Sequence, residues 1–396
     1  MKNHIMKKRK LTLLTSILVL TLLSCETSQN ANANHSNEVF KQKLISVKMR
    51  AKTSLTIMTM NAENLFDTEH DPGKFDFTYM PKAVKEKNPQ IRRMCSKMGR
   101  GARVCMINDW NEKRLSKKIN HMSQAIIANG SADIIVFQEV ENIKILDRLR
   151  RNINSLITQK NLGSKYLEAV LIESPDRRGI DVAMLSKLPL AEPPKSHDLD
   201  WGDFDKPRDT RNILEATFIL PGNELAKISV FAIHLPAQML KQRYRAVSLE
   251  FLAKLLNRKK QQYLAAGQSP LIVAAGDSNI TEKEAFLWKT YLSDYIISKD
   301  ILTKENEEKS QTKGTHNYKG EWSYLDVLIF PKEMKSKASW LIKPNSARVA
   351  NEWHAQYKME NGYRVPRAFR YPKYDGVADH FPFLIKIEKK NHFDKK

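Results

Sequence analysis

Seven short apolar runs recur along the 396-residue chain, and polar residues bound each of them. They are SLTIMTM before Asn61 and Glu63, ADIIVF before Gln138 and Glu139, GIDVAML, KISVFAI before His234, PLIVAAG before Asp277 and Asn279, YLDVLIF around Asp326, and FPFLIKI after Asp379 and His380. Rich in Val, Ile, Leu and Phe and nearly continuous, they predict strands covered on both faces. Between them apolar residues recur at helical spacing: Leu115, Ile119, Met122, Ile126; then Leu146, Leu149, Ile153, Leu156; then Leu240, Tyr244, Val247, Phe251. Each set predicts an amphipathic helix with one buried face. Strands and helices interleaved in this order imply a layered α/β or α+β architecture.

The first 25 residues break the pattern. A cationic MKNHIMKKRK leads into the 13-residue apolar stretch LTLLTSILVLTLL and closes on Ser24 and Cys25. That stretch is shorter than the roughly 20 residues a spanning helix needs, so it reads as a secretory signal. The closing LLSC resembles a lipobox, with Cys25 as the lipidated mature N-terminus; a plain signal peptide cleaved nearby is the alternative. Residues 26–53 are polar and aperiodic and read as a tether, and residues 54–390 as one catalytic domain with no internal repeat. The expected location is extracytoplasmic and membrane-anchored, at an outer membrane if the host has one, because Glu26 rather than Asp follows Cys25.

With Cys25 set aside, Cys95 and Cys105 remain as either a disulfide or two free thiols. Charge narrows the partners further. There are 66 Lys and Arg against 44 acids, a net charge of +22, of which +17 remains without the first 25 residues. Such a field favours polyanions. Eight cations and one acid fall between Lys82 and Arg103, and residues 340–374 interleave Arg and Lys with Trp340, Trp353, Tyr357, Tyr363, Phe369, Tyr371 and Tyr374. Cations for phosphates beside rings for stacking is a composition suited to nucleic acid.

Hydrolysing a phosphodiester requires charge neutralisation on the phosphoryl oxygens, an aimed water and a stabilised leaving oxygen. Glu139, at the end of a buried strand, is a hard oxygen ligand suited to Mg²⁺ or Mn²⁺, with Ca²⁺ a further option; Asn61 can add a neutral ligand or donate to phosphate. His234 and His380 stand where apolar runs meet polar sequence, and Asp326 could hold the tautomer of His380.

In order and spacing, MNAENLFD, IIVFQEVEN, GIDVAMLSK, IHLPA, AAGDSN, YLDVLIF and ADHFP resemble the endonuclease/exonuclease/phosphatase superfamily over roughly residues 55–388. The resemblance implies a four-layer sandwich of two packed sheets flanked by helices. It implies a divalent metal held chiefly by Glu139, with Asn61 and Asp379 nearby. Asp277 would orient or deprotonate water, Asn279 would bind phosphoryl oxygens, and His380 backed by Asp326 would stabilise the transition state or move a proton. His234 would be a second phosphate or proton-transfer histidine. Two departures stand out: Glu63 occupies a position where several relatives carry Asp, and RRGID replaces the Tyr-Ser-Gly of apurinic endonucleases, with Arg178 the expected phosphate contact. Trp110, Arg114 and Lys118, with the stretch around Trp322, resemble exported bacterial members of the superfamily.

The leading expectation is an extracytoplasmic, metal-dependent nuclease acting on DNA, with RNA a further option. A phospholipid or sphingolipid phosphodiesterase, or an inositol-phosphate phosphatase, is the alternative enzyme. A retired, non-catalytic anion-binding surface protein is the reading from a different class. Nothing implies a protein partner, and a monomer is expected.

Overall fold

The computed structural model describes residues 53–202, 210–220 and 226–390. The signal, the tether up to residue 52 and Cys25 lie outside the described residues. In chain order the strands are β1 (Ser54–Leu65), β2 (Ile134–Val140), β3 (Glu168–Leu171), β4 (Asp181–Ser186), β5 (Lys195–His197), β6 (Ile213–Ile219), β7 (Lys227–His234), β8 (Ile272–Asp277) and β9 (Tyr295–Ile297). They continue as β10 (His316–Tyr318), β11 (Glu321–Ser323), β12 (Asp326–Pro331), β13 (Trp340–Ile342), β14 (Arg348–Val349), β15 (Tyr357–Glu360), β16 (Tyr363–Pro366) and β17 (Phe383–Lys389). All seven apolar runs form strands: β1, β2, β4, β7, β8, β12 and β17.

One seven-stranded sheet has the order β13-β17-β1-β2-β4-β3, with β14 on β17, and a six-stranded sheet has the order β5-β6-β7-β8-β12-β9. They pack face to face, β1 against β8 and β12, and β2 and β4 against β7. Helices Glu112–Ala128 and Ile143–Gln159 cover the outer face of the first sheet, burying Leu115, Ile119, Met122, Leu146 and Leu149 against Met58, Met60, Ile135 and Phe137. Helix Gln242–Ala265 covers the outer face of the second against Phe231, Ile233, Ile272 and Ala274. This is the four-layer sandwich of sheets and helices expected from the sequence.

Helix Gln242–Ala265 is rotated from its expected face. Its buried residues are Arg245, Ser248, Leu249, Leu252, Leu255, Leu256, Lys259 and Tyr263, while Tyr244, Val247 and Phe251 lie half-buried on the flank and Leu240 precedes the helix. Two buried cations disguise the stripe. Arg245 clamps Glu284 through Nε (2.7 Å) and Nη2 (2.6 Å), and Lys259 reaches Glu215 at 2.7 Å, so neither charge is buried unpaired.

The basic segment from Lys82 to Arg103 lies in a set of three short helices, Lys82–Lys87, Pro89–Ser96 and Ala102–Ile107. A disulfide between Cys95 and Cys105 joins the last two, with Cα atoms 5.5 Å apart, and both cysteines are fully buried beside Phe77, Met80 and Ile91. The region carrying aromatic and basic residues also differs from expectation. Trp340, Phe369 and Tyr374 are buried, and among its seven rings only Tyr371 is largely exposed. Most of these rings therefore pack the fold and do not offer stacking platforms.

Candidate active site

Strand alternation explains where the site forms. On β1 the residues Ile57, Thr59 and Asn61 share the face toward the other sheet, as do Val230, Ala232 and His234 on β7, and Val273, Ala275 and Asp277 on β8. β1 runs parallel to β2, with Asn61 opposite Gln138. β7 runs parallel to β8, with His234 opposite Asp277, and antiparallel β12 sets Asp326 opposite Asp277. The polar residues bounding these apolar runs, at the C-terminal ends of β1, β7 and β8 and at the start of β12, therefore arrive at the same end of the inter-sheet layer.

Glu139 breaks that alternation. Following Val136 and Gln138, it should point to the helix-covered side. The register of β2 against both β1 and β4 shifts here, and Glu139 has a left-handed backbone (φ 64°). A bulge of this kind re-aims one side chain across the sheet. Glu139 thereby comes within 3.3 Å of Asn61 Nδ2 and 4.0 Å of His234 Nε2. The glycine before Asp277 has a comparable role: a Cβ on Gly276 would lie 1.8 Å from the Ile233 carbonyl oxygen. Only glycine lets β7 and β8 approach closely enough to set His234 beside Asp277.

Asp277 is the hub. Its Oδ2 accepts from Asn61 Nδ2 at 3.3 Å and lies 3.6 Å from His234 Nε2 and 4.0 Å from His380 Nε2, while its Oδ1 accepts from the Asn279 amide at 2.8 Å. Burial pushes its carboxyl up to about 7, against His380, which pulls it down. His380 Nδ1 donates to Asp326 Oδ2 at 2.8 Å. Burial opposes a proton on His380, but the charge and hydrogen bond of Asp326, with Asp277 and Asp379, hold its pKa well above the ordinary value. His234 is driven the other way by burial and by the cations Arg211, Arg178 and His380. One imidazole is thus charged and the other neutral, across a single carboxylate.

Asn279 Nδ2 donates to the Leu235 carbonyl at 3.1 Å, so its amide is oriented by the end of β7. Arg178 sits over Asp176 at 3.3 Å, half-exposed, and Arg211 reaches the same carboxylate at 3.4 Å from a buried position. Asp379 belongs to a second set of potential metal ligands. Arg370 Nη2 pairs with it at 2.6 Å, and it groups with His316 and His380, within 4.8 Å of one another. Arg370 Nε also donates to Glu63 Oε1 at 2.6 Å, so one guanidinium clips two acids. Burial and Asp379 push Glu63 up to about 7, and burial pushes the enclosed Lys118 down to about 8. Sequence reasoning gave no role to His316 or Arg370; the composition of residues 340–374 was the sole signal for the latter.

The donor chemistry fits a divalent ion. Carboxylates of Glu139 and Asp277 converge on the Asn61 amide at 3.3 Å each, and His234 Nε2 stands farther off, 3.6 Å from Asp277 and 4.0 Å from Glu139. Two convergent hard-oxygen groups suit Mg²⁺ or Mn²⁺, with Glu139 and Asn61 as the residues that would hold it.

A model of the Endonuclease/Exonuclease/phosphatase family matches residues 56–389. No curated protein sequence matches the chain. Among solved structures, a humanized D. rerio TDP2 aligns at TM-score 0.50 and 11% identity, covering 85% of this chain and 100% of that one. An endonuclease/exonuclease/phosphatase family protein from Bacteroides thetaiotaomicron aligns at 0.49 and 13%, over 85% and 98%. A mannosyl-6-phosphatase from the same organism aligns at 0.48 and 13%, over 84% and 99%. The match over nearly all the described residues places the chain: it belongs to the endonuclease/exonuclease/phosphatase family, metal-dependent hydrolases of phosphoester bonds.

Proposed function

We propose that this chain is an extracytoplasmic nuclease that hydrolyses phosphodiester bonds of DNA, and of RNA as well, and is held to a membrane through Cys25 and the tether of residues 26–53. The observation that carries the chemistry is Asp277, set between a charged His380 and a neutral His234 beside Glu139 and Asn61. Asp277 orients the attacking water and takes its proton. His380, kept protonated by Asp326, gives its proton to the leaving oxygen as the bond from that oxygen to phosphorus breaks, and the Asn279 amide and Arg178 bind the phosphoryl oxygens. A divalent ion held by Glu139 and Asn61 supplies Lewis-acid polarisation of the phosphate when bound.

Charge supports the polymeric substrate. Phe75 packs against the apolar cluster of Ile91, Cys95 and Cys105 in the basic helices, and it links that cluster to the loop of Arg178, since Arg177 lies over its ring at 5.2 Å and the Arg177 carbonyl accepts from its amide at 2.7 Å. A strand leaving the site can follow that surface, whereas a small sugar phosphate has no use for it.

The test is cleavage of plasmid DNA by residues 26–396 with Mg²⁺ or Mn²⁺, with chelator, and with Asp277→Asn. Metal-dependent nicking that the variant lacks is expected. Absence of nicking by folded protein would overturn the nuclease reading, and phospholipid and inositol-phosphate substrates would then be assayed.

A further inference from the structure

Far from the site, the first sheet ends in a patch of lysines. β1 enters at Ser54 and reaches the site at Asn61, so at about 3.3 Å per residue the two ends stand roughly 23 Å apart. β17 runs antiparallel and brings Glu388 opposite Ser54, and β13 sets Leu341 against Glu388. Lys389 donates its amide to the Thr53 carbonyl at 2.7 Å, and Lys343 donates its amide to that of Lys386 at 2.9 Å. Lys335, Lys343, Lys386, Lys389 and Lys390 thus line one groove together with Thr53 and Ser54. All but Lys386 are exposed. The nearby acids are already engaged, Glu388 with Lys343 at 3.6 Å and Glu333 with Lys260.

The chain that feeds this face is basic as well. Residues 39–53 contain Lys41, Lys43, Lys48, Arg50 and Lys52 and no acid. We propose that this lysine face docks on an anionic phospholipid surface. The assignment goes beyond the nuclease reading and holds whichever phosphoester the site cleaves; it draws on the N-terminal anchor reading only for the side from which the chain is tied.

Three features favour lipid over nucleic acid. The face is at the far end of the sheet from the catalytic residues, so a polymer bound at the site does not need it. Its aromatic residue, Trp340, is 5% exposed and offers no ring for stacking bases. Its cations are lysines, whose ammonium groups act as point charges toward headgroup phosphates, without the bidentate geometry of arginine. A basic surface next to an anchor adds affinity for anionic bilayers, and docking by this face turns the active site away from the membrane.

The experiment is co-sedimentation of residues 26–396, which lack any acyl group, with vesicles of equimolar phosphatidylcholine and phosphatidylglycerol, and with pure phosphatidylcholine. The comparison variant is Lys335→Gln/Lys343→Gln/Lys389→Gln/Lys390→Gln, and a control carries Lys87→Gln/Arg93→Gln/Arg100→Gln/Arg103→Gln in the basic helices. Expected is salt-sensitive binding to the anionic vesicles alone, weakened by about tenfold or more in the first variant and unchanged in the control. Turnover of a small phosphodiester is expected to stay at the parent value in the first variant. Lys335→Glu and Lys390→Glu, each alone, are expected to weaken vesicle binding too. Parent-like vesicle binding by the first variant would overturn the proposal. So would an equal loss in the control, or plasmid DNA affinity falling as far as vesicle affinity, which would mark the face as a nucleic-acid track.

Discussion

At the scale of single residues, the site depends on differences in protonation between neighbours. Asp277→Asn keeps the shape and the Asn279 hydrogen bond's partner atom but removes the base, so turnover should fall by roughly 10²–10⁴-fold with little change in KM, read from steady-state kinetics. Asp326→Asn acts through another group. It removes the carboxylate that holds the proton on His380. The pKa of His380 therefore falls, and the alkaline limb of the kcat/KM profile should move to lower pH, checked against an NMR titration of the ring. An alkaline limb that stays in place would mean that His380 does not work as a proton-bearing group. These residues were legible in the sequence because each bounds an apolar run, where a buried strand must surface. The clip from Arg370 to Glu63 and Asp379 was not: it joins residues 307 and nine positions apart through a loop whose path no local pattern records.

At the scale of elements, the strands were readable because burial on both faces leaves continuous apolar runs. Helix Gln242–Ala265 was misplaced in phase because Arg245 and Lys259, polar by type, occupy buried positions and are paired there. The bulge at Glu139 has no sequence signature comparable to a glycine, so its re-aiming had to be seen in the backbone. Gly276 is the counterpart where the sequence does speak. Gly276→Ala would drive a Cβ into the Ile233 carbonyl, and a loss of about 3 kcal/mol or more is expected from chemical denaturation, with activity falling further than stability as Asp277 shifts. A second link between elements is testable by acid. Burial alone would raise Glu215 on β6, but hydrogen bonds from His197 and Lys259 hold it down at about 2. A depressed carboxylate contributes stability above its unfolded value of about 4.5, and that contribution is lost as pH falls toward 2. In Glu215→Gln a loss on the order of 2 kcal/mol is expected at pH 7, allowing for solvent screening, and the difference from the parent should vanish near pH 2.

At the scale of the whole molecule, two basic regions lie at different places on one scaffold. Neutralising Lys87, Arg93, Arg100 and Arg103 should weaken binding of polymeric DNA and flatten its dependence on salt by about one unit of slope for each phosphate no longer neutralised. Turnover of a small diester should stay unchanged, because those side chains stand outside the hydrogen-bonded cluster around Asp277. The charge balance predicted a polyanionic partner but could not say that the cations would segregate, since that follows from how distant segments meet at the sheet ends.

The Cys95–Cys105 bond fastens the basic helices and no part of the catalytic cluster. Its closed loop is short, ten positions in sequence, so opening it leaves the sandwich and its chemistry in place. Grip on long substrates and power to cleave are therefore separable by redox state. Assayed with and without dithiothreitol, turnover of a small phosphoester should persist while binding of polymeric DNA weakens, and an equal loss of both would count against this separation.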